Sequence, residues 1–521
     1  MQFQDLSDIQ HATRRGQREF FRFGMGLLFV VGIMIYSTLG LGVSGPQGTM
    51  VVVAAMIGGY MAMNIGANDV ANNVGPAVGS KSITMGGAIV IAAVFEMLGA
   101  LLAGGEVVST IRGGIIDVNA IPSTEHFVWL MTAALLAGAL WLNLATAVGA
   151  PVSTTHSIVG AVLGSGVMAG GFGAADWGVV INIVASWLVS PLLGGVVAAA
   201  FLFWIKRAIT YKSDMIQAAQ RTVPLLIGLM AFAFASYLLL KGLNKVWSVS
   251  FWEACGFGAL AGVVVWGLVW RAIRVRSATL TNTKKSINSL FTLPLIFAAA
   301  LLSFAHGAND VANAVGPLAA IADAVLQGGF SDEAGIPLWV MLIGAVGIAI
   351  GLALYGPKLI RTVGGEITDL DQMRAFCIAM SAALTVIIAS QLGLPVSSTH
   401  IAIGGIFGVG FLREHLKSNY SQMLEEIKMH HSGADKQVVE EFLDRFAAAD
   451  VDTKQSMLRQ LKANSTNVTL SKKEYKQMRR MYRGELVKRS AFTKIIAAWI
   501  ITVPMSAGLS ALLYWLMSSV L

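Results

Sequence analysis

The chain has 521 residues, of which 55% are hydrophobic and only 13% charged, well below the roughly 25% charge of a soluble protein. Several apolar windows exceed the roughly 18–20 residues that cross a bilayer, which predicts an all-α polytopic membrane protein bathed in membrane lipid; a β-barrel is excluded because it would show short alternating segments. The net charge of +8 comes from loop lysines and arginines and gives no reason to expect nucleic acid as a partner, and Cys255 and Cys377 lie in apolar segments without disulfide or metal-ligand spacing.

In chain order, residues 1–23 form a polar N-terminal segment carrying Arg14, Arg15, Arg18 and Arg22, expected to be cytoplasmic. An apolar run over 24–43 follows. Paired arginines ahead of an apolar run have the form of a twin-arginine signal. This run is too long for a signal core and no small-x-small cleavage site follows it, so a retained additional transmembrane helix is expected. Residues 50–207 hold apolar segments at about 51–79, 84–103, 126–147, 150–170 and 178–205. A linker over 208–289 contains a two-span hairpin, about 223–241 and 252–270. Residues 290–412 plus 491–521 hold five more segments, at about 290–322, 337–356, 374–392, 394–412 and 491–518. The charged insert 413–490 includes a helical-looking stretch from Val438 to Phe446 and reads as a cytoplasmic subdomain or a solvated linker.

The two sets of five segments are repeats. Gly66-Ala67-Asn68-Asp69-Val70-Ala71-Asn72-Asn73-Val74-Gly75-Pro76 returns 241 positions later as Gly307-Ala308-Asn309-Asp310-Val311-Ala312-Asn313-Ala314-Val315-Gly316-Pro317. Pro151-Val152-Ser153-Thr154-Thr155-His156 returns 244 positions later as Pro395-Val396-Ser397-Ser398-Thr399-His400. Ile183-Val184-Ala185-Ser186-Trp187 matches Ile495-Ile496-Ala497-Ala498-Trp499 at an offset of 312, and the extra 68 positions are the insert. Basic segments belong on the cytoplasmic side. Placing the N-terminal arginines, Lys206-Arg207, the 271–289 linker and the insert inside satisfies that rule at once, and the second repeat then begins on the opposite side from the first. The predicted architecture is two inverted-topology repeats with discontinuous helices, about 12 core spans plus one extra N-terminal helix.

The polar motifs stand in sequence otherwise suited to hydrocarbon, where acids and carboxamides are costly unless they meet a partner or a wet cavity. Gly66, Gly75 and Pro76 are expected to break the helix around Asn68-Asp69. The freed backbone, with the oxygens of Asn68, Asp69, Asn309 and Asp310, suits a hard cation such as Na+. Asn72 lies four residues from Asn68 on one helical face, as does Asn313 from Asn309; a buried network of asparagines joining helices is the structural alternative. Pro-Val-Ser-Thr-Thr-His reads as a helix start. Ser153, Thr154, Thr155 and their counterparts Ser397, Ser398 and Thr399 offer hydroxyls and free N–H groups to one tetrahedral oxyanion, or else merely cap two helices. His156 and His400 read as structural residues one turn into those helices. An anion held between two aspartates needs an accompanying cation or proton, which argues for symport. Glu96, an intramembrane acid with no evident charge partner, is either a proton or cation site or a polar face of the bundle interior.

These doubled motifs resemble the inorganic phosphate transporter family of the PiT type, from about residue 50 to the C-terminus. The resemblance implies secondary transport of inorganic phosphate with Na+ or H+ as coupling ion and no cofactor, by a multi-pass protein, likewise a homodimer, of a bacterial inner membrane. It implies cation or phosphate ligation by Asn68, Asp69, Asn309 and Asp310, with Na+ at Asp69 and Asp310. It also implies phosphate ligation by the six hydroxyl residues; Asn72 and Asn313 are grouped with them. The helix over 24–43 and the position of the insert depart from the family pattern. Ala379 stands where eukaryotic members carry a glutamate, which bears on the coupling ion. A sulfate permease of the same family, an anion channel and a membrane enzyme are the rival readings. No acid–base–nucleophile set or phosphate loop accompanies the motifs, so no enzyme activity is expected.

The topology is testable by labelling cysteines from outside intact cells. An Asp450→Cys chain is expected to stay unlabelled, whereas a cysteine at the C-terminus reacts; the reverse pattern overturns the inverted arrangement.

Overall fold

The computed structural model describes residues 2–42, 45–150, 152–242, 249–326, 336–365, 370–429, 434–448, 457 and 489–520. Among these residues the fold is helical, with no strand beyond an isolated bridge between Ile116 and Ala175. In order, the helices are α1 (Gln2–Gly40), α2 (Gly45–Asn68), α3 (Val70–Gly79), α4 (Met85–Ala103), α5 (Gly105–Gly113), α6 (Thr124–Val148), α7 (Thr154–Gly170), α8 (Trp177–Ile205), α9 (Met215–Tyr237), α10 (Phe251–Ser277), α11 (Lys284–Leu290), α12 (Thr292–Asp310), α13 (Ala312–Leu326), α14 (Leu338–Gly365), α15 (Gln372–Gln391), α16 (Ser398–Met429), α17 (Ala434–Ala448) and α18 (Arg489–Val520). Eleven spans among the described residues are long and apolar enough to cross a membrane. The motif helices α7 and α16 are the two expected segments outside those eleven. Helix α1 joins the N-terminal segment to the additional span without a break. Most of the insert lies outside the described residues; α17 covers the Val438–Phe446 stretch.

Packing follows the sequence repeat, with the halves exchanging partners. Helix α2 of the first half packs on α14 of the second, and α12 packs on α4; α7 packs on α18, and α16 on α8. The contacts repeat down to individual backbone atoms. Gly66 lies against the Ile348 carbonyl, while its counterpart Gly307 lies against the carbonyl of Glu96. Gly164 lies against Ala507, and Gly408 against Gly195. A Cβ at any of these four glycines would overlap a backbone atom. Close helix approach through small residues is the main way to gain packing energy between helices in lipid, where no hydrophobic drive joins them. Gly66, which the sequence suggests as a helix breaker, is instead a helix–helix contact point.

The interruptions themselves are slight. Asp69 separates α2 from α3 but keeps helical dihedrals, φ −83° and ψ −35°, and its amide still donates to the Ile65 carbonyl at 2.9 Å. Val311 does the same between α12 and α13, at φ −57° and ψ −30°. The expected unwound stretch is therefore a one-residue fault in the ladder: the Asn72 amide turns to the Asp69 carbonyl at 2.9 Å. Pro76 and Pro317, inside α3 and α13, remove the donors that would otherwise meet the carbonyls of Asn72 and Asn313.

Two aromatic pairs mark the centre of the exchange. His156 stacks on Trp187 with centroids 3.8 Å apart, His400 on Trp499 at 3.6 Å, and the two imidazoles meet edge to face at 4.3 Å. One ring pair belongs to each Pro-Val-Ser-(Thr/Ser)-Thr-His copy, so the two copies meet there.

Gly66→Val and Gly307→Val are each expected to abolish the monodisperse peak on size-exclusion chromatography of detergent-extracted protein. The new side chain meets backbone that cannot rotate away, so the cost exceeds the roughly 1–3 kcal/mol of ordinary overpacking. Valine at Gly86, where a Cβ meets nothing, is the control and leaves the peak intact.

Candidate functional site

Helices α7 and α16 begin side by side, with His156 and His400 of their first turns in contact. The Ser153 hydroxyl accepts the His156 amide at 3.1 Å and the Ser397 hydroxyl accepts that of His400 at 3.2 Å. These serines cap their helices, and each hydroxyl hydrogen remains for another partner. The chain entering each helix is pinned by an asparagine of its own half. Asn68 donates to Thr146 Oγ1 at 3.0 Å and to the Ala150 carbonyl at 3.2 Å, and accepts from the Val152 amide at 3.2 Å. Asn309 donates to Ser390 Oγ at 2.9 Å and to the Leu394 carbonyl at 3.2 Å. Both amide groups are committed to aiming the helix starts.

The faults at Asp69 and Asp310 face those helix starts. Asp69 Oδ2 accepts from the Thr154 hydroxyl at 2.7 Å, and Oδ1 accepts from the Thr399 hydroxyl of the other half at 3.0 Å. Asp310 Oδ2 accepts from Ser398 Oγ at 3.1 Å and lies 3.4 Å from Thr154 Oγ1. Thr154 thus stands between the two carboxylates. Asn72 donates to Thr399 Oγ1 at 2.8 Å, and Asn313 to Thr154 Oγ1 and Thr155 Oγ1 at 3.0 and 3.2 Å. Thr155 in turn donates to the Val396 carbonyl of the other half at 3.0 Å. All of these residues are buried. Asn72 Oδ1, Asn309 Oδ1, Asn313 Oδ1 and Asp310 Oδ1 find no donor in the protein although they are buried. Buried acceptors are ordinarily paired, and bare amide and carboxylate oxygens are the donor type a hard cation takes.

One side of the cluster carries more. Glu96 on α4 accepts from Asn73 Nδ2 at 2.7 Å, and its other oxygen is 2.7 Å from His306 Nδ1. His306 Nε2 is 2.9 Å from Asp310 Oδ2, close enough for an ion pair but off the line of a good hydrogen bond. Both side chains are fully buried. An imidazole between two carboxylates donates to both only when both nitrogens carry a proton. His306 is therefore the partner of Glu96 that the sequence did not reveal. Its signal was its place: it precedes the second Gly-Ala-Asn-Asp, where the first copy has Ile65. By the glycine contacts, the counterpart of Glu96 is Ile348. The equivalent corner of the first half thus holds two buried isoleucines, Ile65 and Ile348, in place of the acid and the imidazole. Asp69, His306 and Asp310 each offer one ligand atom within 4.8 Å of the others.

Comparison with known proteins agrees with this geometry. A family model described as the phosphate transporter family matches residues 65–510. The chain belongs to the phosphate transporter family. It is 49% identical over 524 residues to a Helicobacter pylori protein named "Putative phosphate permease", covering 99% of this chain and 98% of that one. A Chlamydia trachomatis protein of the same name is 38% identical over 387 residues, 70% of this chain and 90% of its own. Among solved structures, one titled "The sodium-dependent phosphate transporter" superposes with a TM-score of 0.74 at 30% identity, covering 91% of this chain and all of that one.

Within this member of the phosphate transporter family the cluster separates two kinds of hydroxyl. Thr154→Val removes a donor from a buried carboxylate, a bond worth about 1.5–3 kcal/mol, and is expected to weaken phosphate binding by roughly tenfold or more, whereas Thr154→Ser retains it. Ser153→Ala removes a cap, worth about 1 kcal/mol, and is expected to lower thermal stability instead. Scintillation-proximity binding of labelled phosphate and a thermal melt on the same preparations check both.

Proposed function

We propose that the chain is a secondary active symporter that carries inorganic phosphate with Na+ across a bacterial inner membrane. The carrying observation is that the two aspartates of the two halves share one dry cluster, each held by hydroxyls from the Pro-Val-Ser motifs. In this reading the halves are inverted in the membrane, as the basic loops require. Two buried carboxylates and a phosphate oxyanion repel one another strongly where the dielectric is low. Cation on the carboxylates offsets that repulsion, and the bare Asn72, Asn313 and Asp310 oxygens are hard donors fit to share it. The hydroxyls of Thr154, Ser398 and Thr399 then have a second use. Without substrate their hydrogens rest on Asp69 and Asp310. With the carboxylates neutralised by cation, the same hydrogens are free to turn to the oxyanion. The binding of cation and anion is thereby coupled through a single set of hydroxyls, which is what symport demands.

Na+ is preferred to H+ on the oxygen character of the donor set, and the sodium-dependent transporter of similar fold supports the choice. The relatives compared are named for phosphate, not sulfate, and phosphate is taken as the substrate here. A carrier is preferred to a channel because both carboxylates are buried among the described residues.

The test is phosphate uptake into proteoliposomes against Na+ concentration and against pH. Asp69→Asn and Asp310→Asn keep size and an oxygen but remove the charge. Each is expected to abolish or severely reduce gradient-driven uptake and to flatten its Na+ dependence, with the protein still inserted. Wild-type uptake and Na+ dependence in both variants overturn the assignment; uptake driven equally well by a pH gradient without Na+ replaces Na+ by H+.

A further inference from the structure

A cavity of about 850 Å³ lies between α1 and the rest of the bundle. Arg22 and Glu19 of α1, Tyr60 of α2, Asn143 of α6, and Tyr355 and Lys358 of α14 bring polar groups to its wall. Its inner end reaches Ala67 and Thr146. Behind them is Asn68, buried and bonded to Thr146, and the next residue is Asp69. One layer of side chains thus separates the cavity from the carboxylate cluster. Arg22 pairs with Glu19 at 2.7 Å through one of its guanidinium nitrogens, and Lys358 donates to the Ala147 carbonyl at 2.6 Å, at the end of α6. Among the described residues that line the cavity, two cations and one carboxylate are present.

The opposite end of the pseudo-symmetric structure differs in both shape and charge. Gly104, Thr110, Gly113 and Asp117 recur 252 positions later as Gly356, Thr362, Gly365 and Asp369. In the first half the chain breaks after Ala103, and α5 turns onto the start of the second Pro-Val-Ser motif, with Thr110 donating to the Gly393 carbonyl at 2.8 Å. In the second half, α14 runs straight through the corresponding Gly356-Pro357 to Gly365. The turn equivalent to Gly393 is Gly149, which meets the Lys358 side chain. Lys358 occupies the position of Glu106. The end that is covered carries an acid at this position, and the end that is hollow carries a base.

We propose that this vestibule is a second binding site, for an anionic phosphate group seated on Arg22 and Lys358, and that α1 is present to complete it. A guanidinium meets phosphate oxygens with paired donors and an ammonium meets them as a point charge. The phenols of Tyr60 and Tyr355 and the amide of Asn143 supply neutral donors around them. Free inorganic phosphate and the headgroup of an anionic phospholipid share this chemistry. The second source is within reach because Phe20, Phe21 and Phe23 leave α1 with an exposed apolar surface beside the cavity. The proposal extends the transport reading without resting on it: occupancy of the vestibule is measured at the vestibule and without transport.

The experiment uses the full chain with Asn143→Cys as an exposed reporter, background reaction of Cys255 and Cys377 being subtracted from a chain without the reporter. The rate of methanethiosulfonate modification is followed in detergent with inorganic phosphate at constant ionic strength, then in vesicles of phosphatidylglycerol or phosphatidylcholine without free phosphate. Phosphate is expected to slow the reaction several-fold. Arg22→Gln or Lys358→Gln is expected to raise the phosphate concentration that gives half-protection about tenfold or more, with Arg22→Lys shifting it much less. Repeating the measurement in an Asp69→Asn chain keeps the protection although transport is lost. Protection by phosphatidylglycerol but not by phosphatidylcholine, lost in the same variants, supports the site with a headgroup as its occupant. Protection by neither probe, or protection undiminished when Arg22 and Lys358 are both replaced, overturns the proposal.

Discussion

Two carboxylates within a few ångströms of each other, out of water, are the constraint on which the rest of this structure depends. Taking one such charge out of water without a partner costs several kcal/mol, and a second of the same sign nearby adds to it. The fold offsets that cost from several directions. Hydroxyls of Thr154, Ser398 and Thr399 donate to the carboxylate oxygens, and the N-terminal turns of α7 and α16 present their amides, Thr154 N lying 3.4 Å from Asp69. These helix starts are in place only because Asn68 and Asn309 tether the chain before them. The helices carrying the aspartates come close enough only because glycine lies where α2 meets α14 and α12 meets α4. The remaining deficit is the physical reason for a cation.

The doubling of the motifs made much of this legible. Residues that repeat at a fixed offset in apolar sequence were expected to meet, and Asp69, Asp310, Asn72, Asn313, Thr154, Thr155, Ser398 and Thr399 do form one cluster. What doubling cannot reveal is anything built on one side only. His306 and Glu96 lie 210 positions apart, and their counterparts Ile65 and Ile348 are apolar, so neither periodicity nor repeat pointed from one to the other. Roles within a motif were also hidden, because asparagine suits a ligand and a tether equally well. The use of Gly66 was misjudged because its contact lies on another helix, invisible to local propensity. Helix α5 went unseen as a separate element: nine residues containing Glu106 and Arg112 are too short and too polar for a span.

The one-sided pair gives the site a direction that the pseudo-symmetry alone would not. At Asp69 the equivalent corner holds isoleucines, and the bonds to the carboxylate come from hydroxyls, with His306 nearby but shared with Asp310. At Asp310 the corner holds an imidazole tied to a second acid, which is tied to Asn73 on α3. The chain of contacts from Asp310 through His306 and Glu96 to Asn73 therefore links α12, α4 and α3, joining the fault region of one half to that of the other. If cations bind at both aspartates as proposed, such unequal corners give them no reason to be equivalent in affinity, even though the aspartates correspond.

The same reasoning applies at the ends of the molecule. Equivalent sequence adopts two shapes: a helix broken after Ala103 and a helix straight through Gly356-Pro357. Proline at the second position of that turn denies the straight helix a backbone donor, and glycine before it lowers the cost of bending. The straight form is thus the one the sequence holds less firmly. The broken form is held by specific contacts, since Arg112 of α5 pairs with the buried Asp323 of α13. Two elements of like sequence, one locked over its end by an ion pair and the other extended beside a basic cavity, are what a carrier with one end sealed and one end hollow needs. Under the proposed transport reading, an exchange of the two shapes would part Arg112 from Asp323 at one end and free Lys358 from the Ala147 carbonyl at the end of α6.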